Sequence, residues 1–282
     1  MSDAEDPLVS AEWLRENITA PDVRVVDATW FVPWIKSEIT AREAWKREHI
    51  PRSVYFDIDD IADTGSPYPH MMPDAVKFSA RVRKLGIGDG NRMIIYDRNK
   101  FAASARAWWM LRVMGHKDVK VLDGGLQAWI EAGGEVEDLP TPPSERHFTP
   151  RVRSDLLMDA RSLEQLVGTG KTQIVDARPE DRYFGRAPEP REGLPTGHIP
   201  GSVNVPGSQL YDTGGKMKSA EELKAILPGR AQPTVTTCGS GVMACVAALA
   251  YARLGNWDVA VFDGSWTEWA SDPARPIVRG EV

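Results

Sequence analysis

The chain is written twice. VRVVDATWF at 23–31 returns as TQIVDARPE at 172–180, and HIPRSVYFD at 49–57 returns as HIPGSVNVP at 198–206. Asp27 and Asp176 are as far apart as His49 and His198. Further on, MIIYDRNKFAASARAWWMLRVMGHKDVKVLDGGLQAW at 93–129 corresponds to VTTCGSGVMACVAALAYARLGNWDVAVFDGSWTEW at 235–269. There Asp123 matches Asp263 and Trp129 matches Trp269, at a shorter offset, so the first half carries extra residues between the blocks. Solenoid repeats recur every ~20–50 residues. A period of half the chain means a duplicated domain instead, and 282 residues accommodate two domains at about 150 each.

Within each half, short apolar runs alternate with amphipathic stretches. VRVVDA, RMIIYD and VKVLDG in the first half, and TQIVDA, TVTTC and VAVFDG in the second, predict buried strands. AREAWKREH, DAVKFSARVRKL, ASARAWWMLRVMG, SAEELKAIL and VMACVAALAYARLG predict helices. This alternation implies an α/β fold: in each half, a mostly parallel sheet with helices on both faces. Residues 135–157 contain Pro140, Pro142, Pro143 and Pro150 without a clear period, and are the expected linker between domains at 1–134 and 158–282.

Composition narrows the function. With 40 acidic against 34 basic side chains the formal charge is -6, whereas a non-specific nucleic-acid binder is normally basic. No apolar run approaches the ~18 residues that span a bilayer. The opening MSDAEDPLVS lacks the basic flank and apolar stretch of a signal peptide, so a cytoplasmic protein is expected. GIGDGN at 86–91 precedes a strand, whereas a dinucleotide loop follows one and opens a helix.

Cys238 and Cys245 are the two cysteines, too few for a disulfide scaffold. Separated by a mostly helical stretch, they stand on the order of 10 Å apart, too far for a bridge, and lack the histidine pair of a zinc site. Cys245 falls inside an apolar helix and is expected to be core. Cys238 ends a strand and enters a glycine-bracketed loop that opens a helix. Gly239 and Gly241 give the backbone conformations closed to other residues, so successive N–H groups can turn toward the sulfur. The helix adds its positive N-terminal end. Both effects favour an anionic sulfur, as thiolate or as persulfide.

These motifs together, DARPEDRYFG, GHIPGSVNVP, the CGSGVMA loop and VFDGSWTEW, resemble tandem rhodanese domains over nearly the whole chain. The resemblance implies a catalytic cysteine, Cys238, in the second domain and a non-catalytic first domain. Asp97 holds the equivalent position there, and an aspartate cannot carry a sulfane sulfur. Among the branches of this family, CGSG resembles the 3-mercaptopyruvate sulfurtransferases, whose loop reads CGSGVTA; Met243 stands here in place of that threonine. Thiosulfate-specific members place basic residues after the cysteine, where this chain has Gly239 and Ser240.

The resemblance also implies donor binding by Arg182 and Arg191, alongside the loop residues Gly239, Gly241, Val242 and Met243. A guanidinium fork suits the adjacent carboxylate and ketone of mercaptopyruvate. Arg178 directly follows the strand and is expected in a structural ion pair. Asp59 and His70 align with the acid and imidazole that the family sets in series with the loop serine, Ser240, for proton transfer. The four other histidines read as structural, His49 and His198 because the HIP element also recurs in the half that lacks the cysteine. Trp108, Trp109, Trp266 and Trp269 read as packing residues.

The implied chemistry passes sulfur from a small-molecule donor through a Cys238 persulfide to a thiol, such as that of a thioredoxin-like protein, or to cyanide. It requires no metal or organic cofactor. Two alternatives stay open: a thiosulfate sulfurtransferase, and a persulfide carrier that binds partners without turnover. A phosphatase of the same fold needs C-x5-R, and the sixth residue after Cys238 is Ala244.

Overall fold

The structure, a computed structural model, describes residues 6–98, 100–229 and 232–280. It divides into two compact units. The first comprises Met1–Thr64, Met72–Arg153 and Thr213–Met217; the second comprises Gly65–Met71, Ser154–Asp212 and Lys218–Val282. Each unit therefore takes in a short segment from the sequence of the other half.

The first unit runs β1 (Leu8–Val9), α1 (Ala11–Asn17), β2 (Val23–Asp27), α2 (Ala41–Arg47), β3 (Val54–Tyr55), α3 (Ile58–Ile61), α4 (Ala75–Lys84), β4 (Arg92–Tyr96), α5 (Ala102–Val113), β5 (Val119–Leu122) and α6 (Gly125–Glu131). Its five strands lie in the order β1-β5-β4-β2-β3, every pair parallel. Val25, Val26, Met93, Ile94 and Ile95 are all buried, as strands covered on both faces must be. Helix α5 is buried almost all round, with Trp108 and Trp109 wholly enclosed, and forms core rather than surface. The α2 start is fixed by a capping box between Thr40 and Glu43, and that of α4 by the Asp74 side chain.

Residues 135–153 form no helix, yet they are tied down. Glu137 exchanges backbone hydrogen bonds with His49, Arg151 and Arg153 donate to the carbonyls of Met114 and Val113, and Phe148 is buried. Prolines keep this stretch out of regular structure, while the carbonyls at the end of α5 satisfy its backbone donors.

The second unit repeats the plan: β6 (Leu157–Met158), α7 (Ala160–Leu166), β7 (Gln173–Asp176), α8 (Glu180–Tyr183), β8 (Ser202–Asn204), α9 (Ala220–Ile226), β9 (Thr234–Thr237), α10 (Val242–Arg253), β10 (Ala260–Phe262) and α11 (Ser265–Ser271). The order β6-β10-β9-β7-β8 is again parallel throughout, so the repeated sequence yields a repeated topology. Trp266 and Trp269 pack with Phe262, Ile174 and Leu163 in one core cluster.

The HIP element does the same work in both units. His49 and His198 are wholly buried, and their Nδ1 atoms lie 2.7 Å and 3.0 Å from the carbonyls of Trp45 and Tyr183. Their backbones pair with Glu137 and Val278. These contacts fit the structural role that duplication implied. The strands that follow, β3 and β8, span only two and three residues, too short for a period-two pattern to announce them.

Candidate active site

Strand β9 is buried along its whole length and ends at Thr237, at the carboxyl edge of the second unit's sheet. In open parallel sheets this edge is where ligands bind. Cys238 follows, then Gly239–Gly241, then α10. Gly241 has φ +79°, the left-handed region in which a side chain would be strained, and α10 begins at the next residue.

The loop is clamped from behind. Cys238 N–H donates to Ser265 Oγ at 3.0 Å, and the Cys238 carbonyl accepts from Trp266 N–H at 2.9 Å. The Gly239 carbonyl accepts from Thr267 N–H at 3.0 Å and from Thr267 Oγ1 at 2.6 Å. With these groups engaged at the head of α11, the N–H groups of Gly239, Ser240 and Gly241 donate to no protein oxygen among the described residues. Three consecutive N–H groups without a protein acceptor are thus available to an anion. Cys238 is 3% exposed and Ser240 6%, while Gly239 and Met243 are half-buried.

The first unit places a carboxylate in the equivalent turn. Asp97 occupies the position of Cys238, and its Oδ2 accepts the N–H groups of Ala103 at 3.1 Å and Ser104 at 2.7 Å. These are the second and third residues of α5; Met243 and Ala244 hold the same places in α10. The Asp97 carbonyl accepts from Leu126 N–H at 3.1 Å, as that of Cys238 does from Trp266.

Two arginines reach the cysteine loop. Arg191 Nη2 donates to Ser240 Oγ at 3.3 Å. Arg182 Nη2 lies so close to Gly239 that a Cβ there would stand 3.0 Å from it. Behind Arg182 is a buried ion network. Arg178 donates to Asp176 through Nη2 at 2.7 Å and through Nε at 3.0 Å, to Glu189 Oε1 at 2.8 Å and to the Gly197 carbonyl at 2.8 Å. Its guanidinium lies over Trp266 at 4.3 Å. Burial alone would lower the pKa of Arg178, but Asp176 and Glu189 more than offset it and the net shift is upward. Arg178 thus makes the ion pair expected of it.

The other residues read from the sequence are placed as follows. Val242 is buried at the start of α10. Met243 covers Gly207: a Cβ on that glycine would come within 2.5 Å of Met243 Cε. His70 falls in Gly65–Met71, the segment that belongs to the same unit as Cys238; it is buried, with φ +62°. Asp59 belongs to the first unit, where its Oδ2 accepts from Trp30 Nε1 at 2.8 Å. Cys245 is buried, its Sγ donating to the Gly241 carbonyl at 3.1 Å.

Three residues of the site escaped the sequence reading: Glu189, Ser265 and Thr267. Glu189 stood in PEPREG as one acid among many. A signal for Ser265 was available in the repeat, where DGG of the first half becomes DGS of the second, exchanging Gly125 for a hydroxyl.

The family model of the Rhodanese-like domain matches residues 10–132 and 159–272. The chain is 39% identical to thiosulfate sulfurtransferase of Rattus norvegicus, over 97% of this chain and 96% of that protein. It is 36% identical to human 3-mercaptopyruvate sulfurtransferase, over 93% and 91%. It is also 36% identical to thiosulfate/3-mercaptopyruvate sulfurtransferase 1, mitochondrial, of Arabidopsis thaliana, over 96% and 78%. Among solved structures, the 3-mercaptopyruvate sulfotransferase SseA from Escherichia coli superposes with a TM-score of 0.85 at 33% identity, covering 93% of this chain and 99% of that one. Among the described residues, no helix is long and apolar enough to cross a membrane.

Proposed function

We propose, from the premise that this chain belongs to the rhodanese family and is a sulfurtransferase built of two tandem rhodanese-like domains, that its preferred sulfur donor is 3-mercaptopyruvate. The observation that carries this reading is the pair of arginines on the cysteine loop, Arg191 against Ser240 and Arg182 against Gly239. Two guanidinium groups beside the nucleophile suit a donor whose carboxylate adjoins a ketone, offering neighbouring oxygens to an arginine fork. The residues directly after Cys238 are uncharged, which gives a dianionic donor less to hold.

In the first step the Cys238 thiolate attacks the donor's sulfur. A sulfur–sulfur bond forms and the carbon–sulfur bond breaks, its electron pair passing to carbon as the enolate of pyruvate. The proton lost from the donor's thiol ends on that carbon, and Ser240 and His70, which belong to the same unit as Cys238, are the residues proposed to move it. The negative charge of the resulting persulfide is received by the unspent loop N–H groups and by those of Met243 and Ala244, which hold the places of the Ala103 and Ser104 donors to Asp97. In the second step a thiol, such as that of a thioredoxin-like protein, or cyanide takes the outer sulfur and restores the thiolate.

Thiosulfate is the competing donor, supported by the rat relative's name and its 39% identity. Steady-state kinetics with both donors and cyanide as acceptor decide between them. Mercaptopyruvate is expected to give the higher kcat/KM. A thiosulfate preference of about tenfold, or ~1.4 kcal/mol in transition-state stabilisation, would overturn the reading. Persulfide formation without multiple turnovers would favour a carrier instead.

A further inference from the structure

Glu189 stands out by its surroundings. Its side chain is 2% exposed, and each carboxylate oxygen is engaged by an arginine. Oε1 accepts from Arg178 Nη1 at 2.8 Å; Oε2 accepts from Arg182 Nε at 3.2 Å and also from Arg182 Nη2. Arg178 is in turn anchored on Asp176, the last residue of β7. Charges therefore alternate from the sheet to the cysteine loop: Asp176, Arg178, Glu189, Arg182. The first three side chains are 1%, 1% and 2% exposed, and only Arg182, at 19%, meets the surface.

A buried carboxylate is costly unless its partners are well placed, and a network with every member engaged fixes geometry. An arginine is long and rotamer-rich, so an unsupported one would have to be ordered when ligand binds. Glu189 supplies that order beforehand. It engages Nε and Nη2 of Arg182, which sets the plane of the guanidinium beside Gly239.

We propose that Glu189 is a positioning residue: it holds the Arg182 guanidinium against the cysteine loop in the orientation that grips the donor's carboxylate. This rests on the reading of Arg182 as a donor-binding residue. Glu189 acts through Arg182, so its removal should weaken donor binding and leave the acceptor half-reaction alone.

The test is a double-mutant cycle of Glu189→Gln and Arg182→Lys, with KM for mercaptopyruvate, KM for cyanide and kcat measured for each protein. Each single variant is expected to raise KM for mercaptopyruvate about tenfold, with KM for cyanide unchanged and kcat within about threefold. The double variant should match Arg182→Lys within about twofold, because coupled residues are non-additive. If Arg182→Lys raises KM while Glu189→Gln does not, or if the two effects multiply, the proposal fails and the role of Arg182 survives. If Arg182→Lys leaves KM unchanged, the role of Arg182 fails and the proposal with it. Should Glu189→Gln not fold, Glu189→Asp takes its place in the cycle with the same expected coupling. Failure of both to fold would make Glu189 a purely stabilising group and overturn the proposal.

Discussion

The carboxylate of Asp97 accepts the backbone N–H of Ser104 at 2.7 Å. The first unit thus seats a carboxylate at the head of a 12-residue helix, at the point where the second unit places Cys238 ahead of a helix of the same length. Replacing Asp97 with alanine leaves the N–H groups of Ala103 and Ser104 without that acceptor in a buried site. The expected cost is about 1–3 kcal/mol in urea unfolding followed on the first unit. Unchanged stability would contradict the account of this turn.

At the corresponding turn of the second unit, Gly241 has φ +79°. Gly241→Ala is expected to cost about 1–2 kcal/mol and to slow persulfide formation, because a left-handed residue with a Cβ is strained. Gly241→Asn should retain more activity, since asparagine tolerates this region. Equal rates for the two variants would show that the loop does not depend on the turn.

Arg191 donates to Ser240 beside the nucleophile. Arg191→Lys keeps the charge and loses the fork. A charge-assisted hydrogen bond contributes ~1.5–3 kcal/mol, so KM for mercaptopyruvate should rise by roughly 10- to 100-fold while attack of cyanide on preformed persulfide is unaltered. A slowed cyanide step with normal KM would remove Arg191 from donor binding.

His116 supplies a pH-dependent element of stability. Burial lowers its pKa, against the opposing hydrogen bond to the Asn91 carbonyl. Below about pH 6.5 the unfolded chain takes up a proton that the folded chain resists, so this contribution is full above that pH and ebbs as pH falls toward the folded value. The Tm advantage of the natural protein over His116→Gln should therefore shrink between pH 7.5 and about pH 5.5. A constant or growing difference would contradict the direction of the shift.

Much of this was legible in the sequence, for physical reasons. Repetition gave away the duplicated architecture, and buried strands such as VRVVD and RMIIY announce themselves because both faces need apolar cover. The Cys238 loop was readable because strand end, glycines and helix start are contiguous. Ser265 and Thr267 were not, since each acts on a residue distant in sequence that only folding brings near; Glu189 lies near its partners Arg178 and Arg182 in the chain, but the burial of its carboxylate between them is a product of the fold. Strands β3 and β8 were hidden by their brevity. Met243, which departs from the CGSGVTA loop, sets its methyl against Gly207, a contact between segments that the sequence does not announce.

The most direct test of the central claim is the intact mass and peptide map of the protein after mercaptopyruvate is added without acceptor. The account predicts one extra sulfur on the peptide containing Cys238 and none on Cys245. It also predicts one pyruvate released per chain, removal of the sulfur by cyanide, and no such adduct or turnover in Cys238→Ser. Sustained pyruvate release by Cys238→Ser, or sulfur found on Cys245 instead, would contradict it.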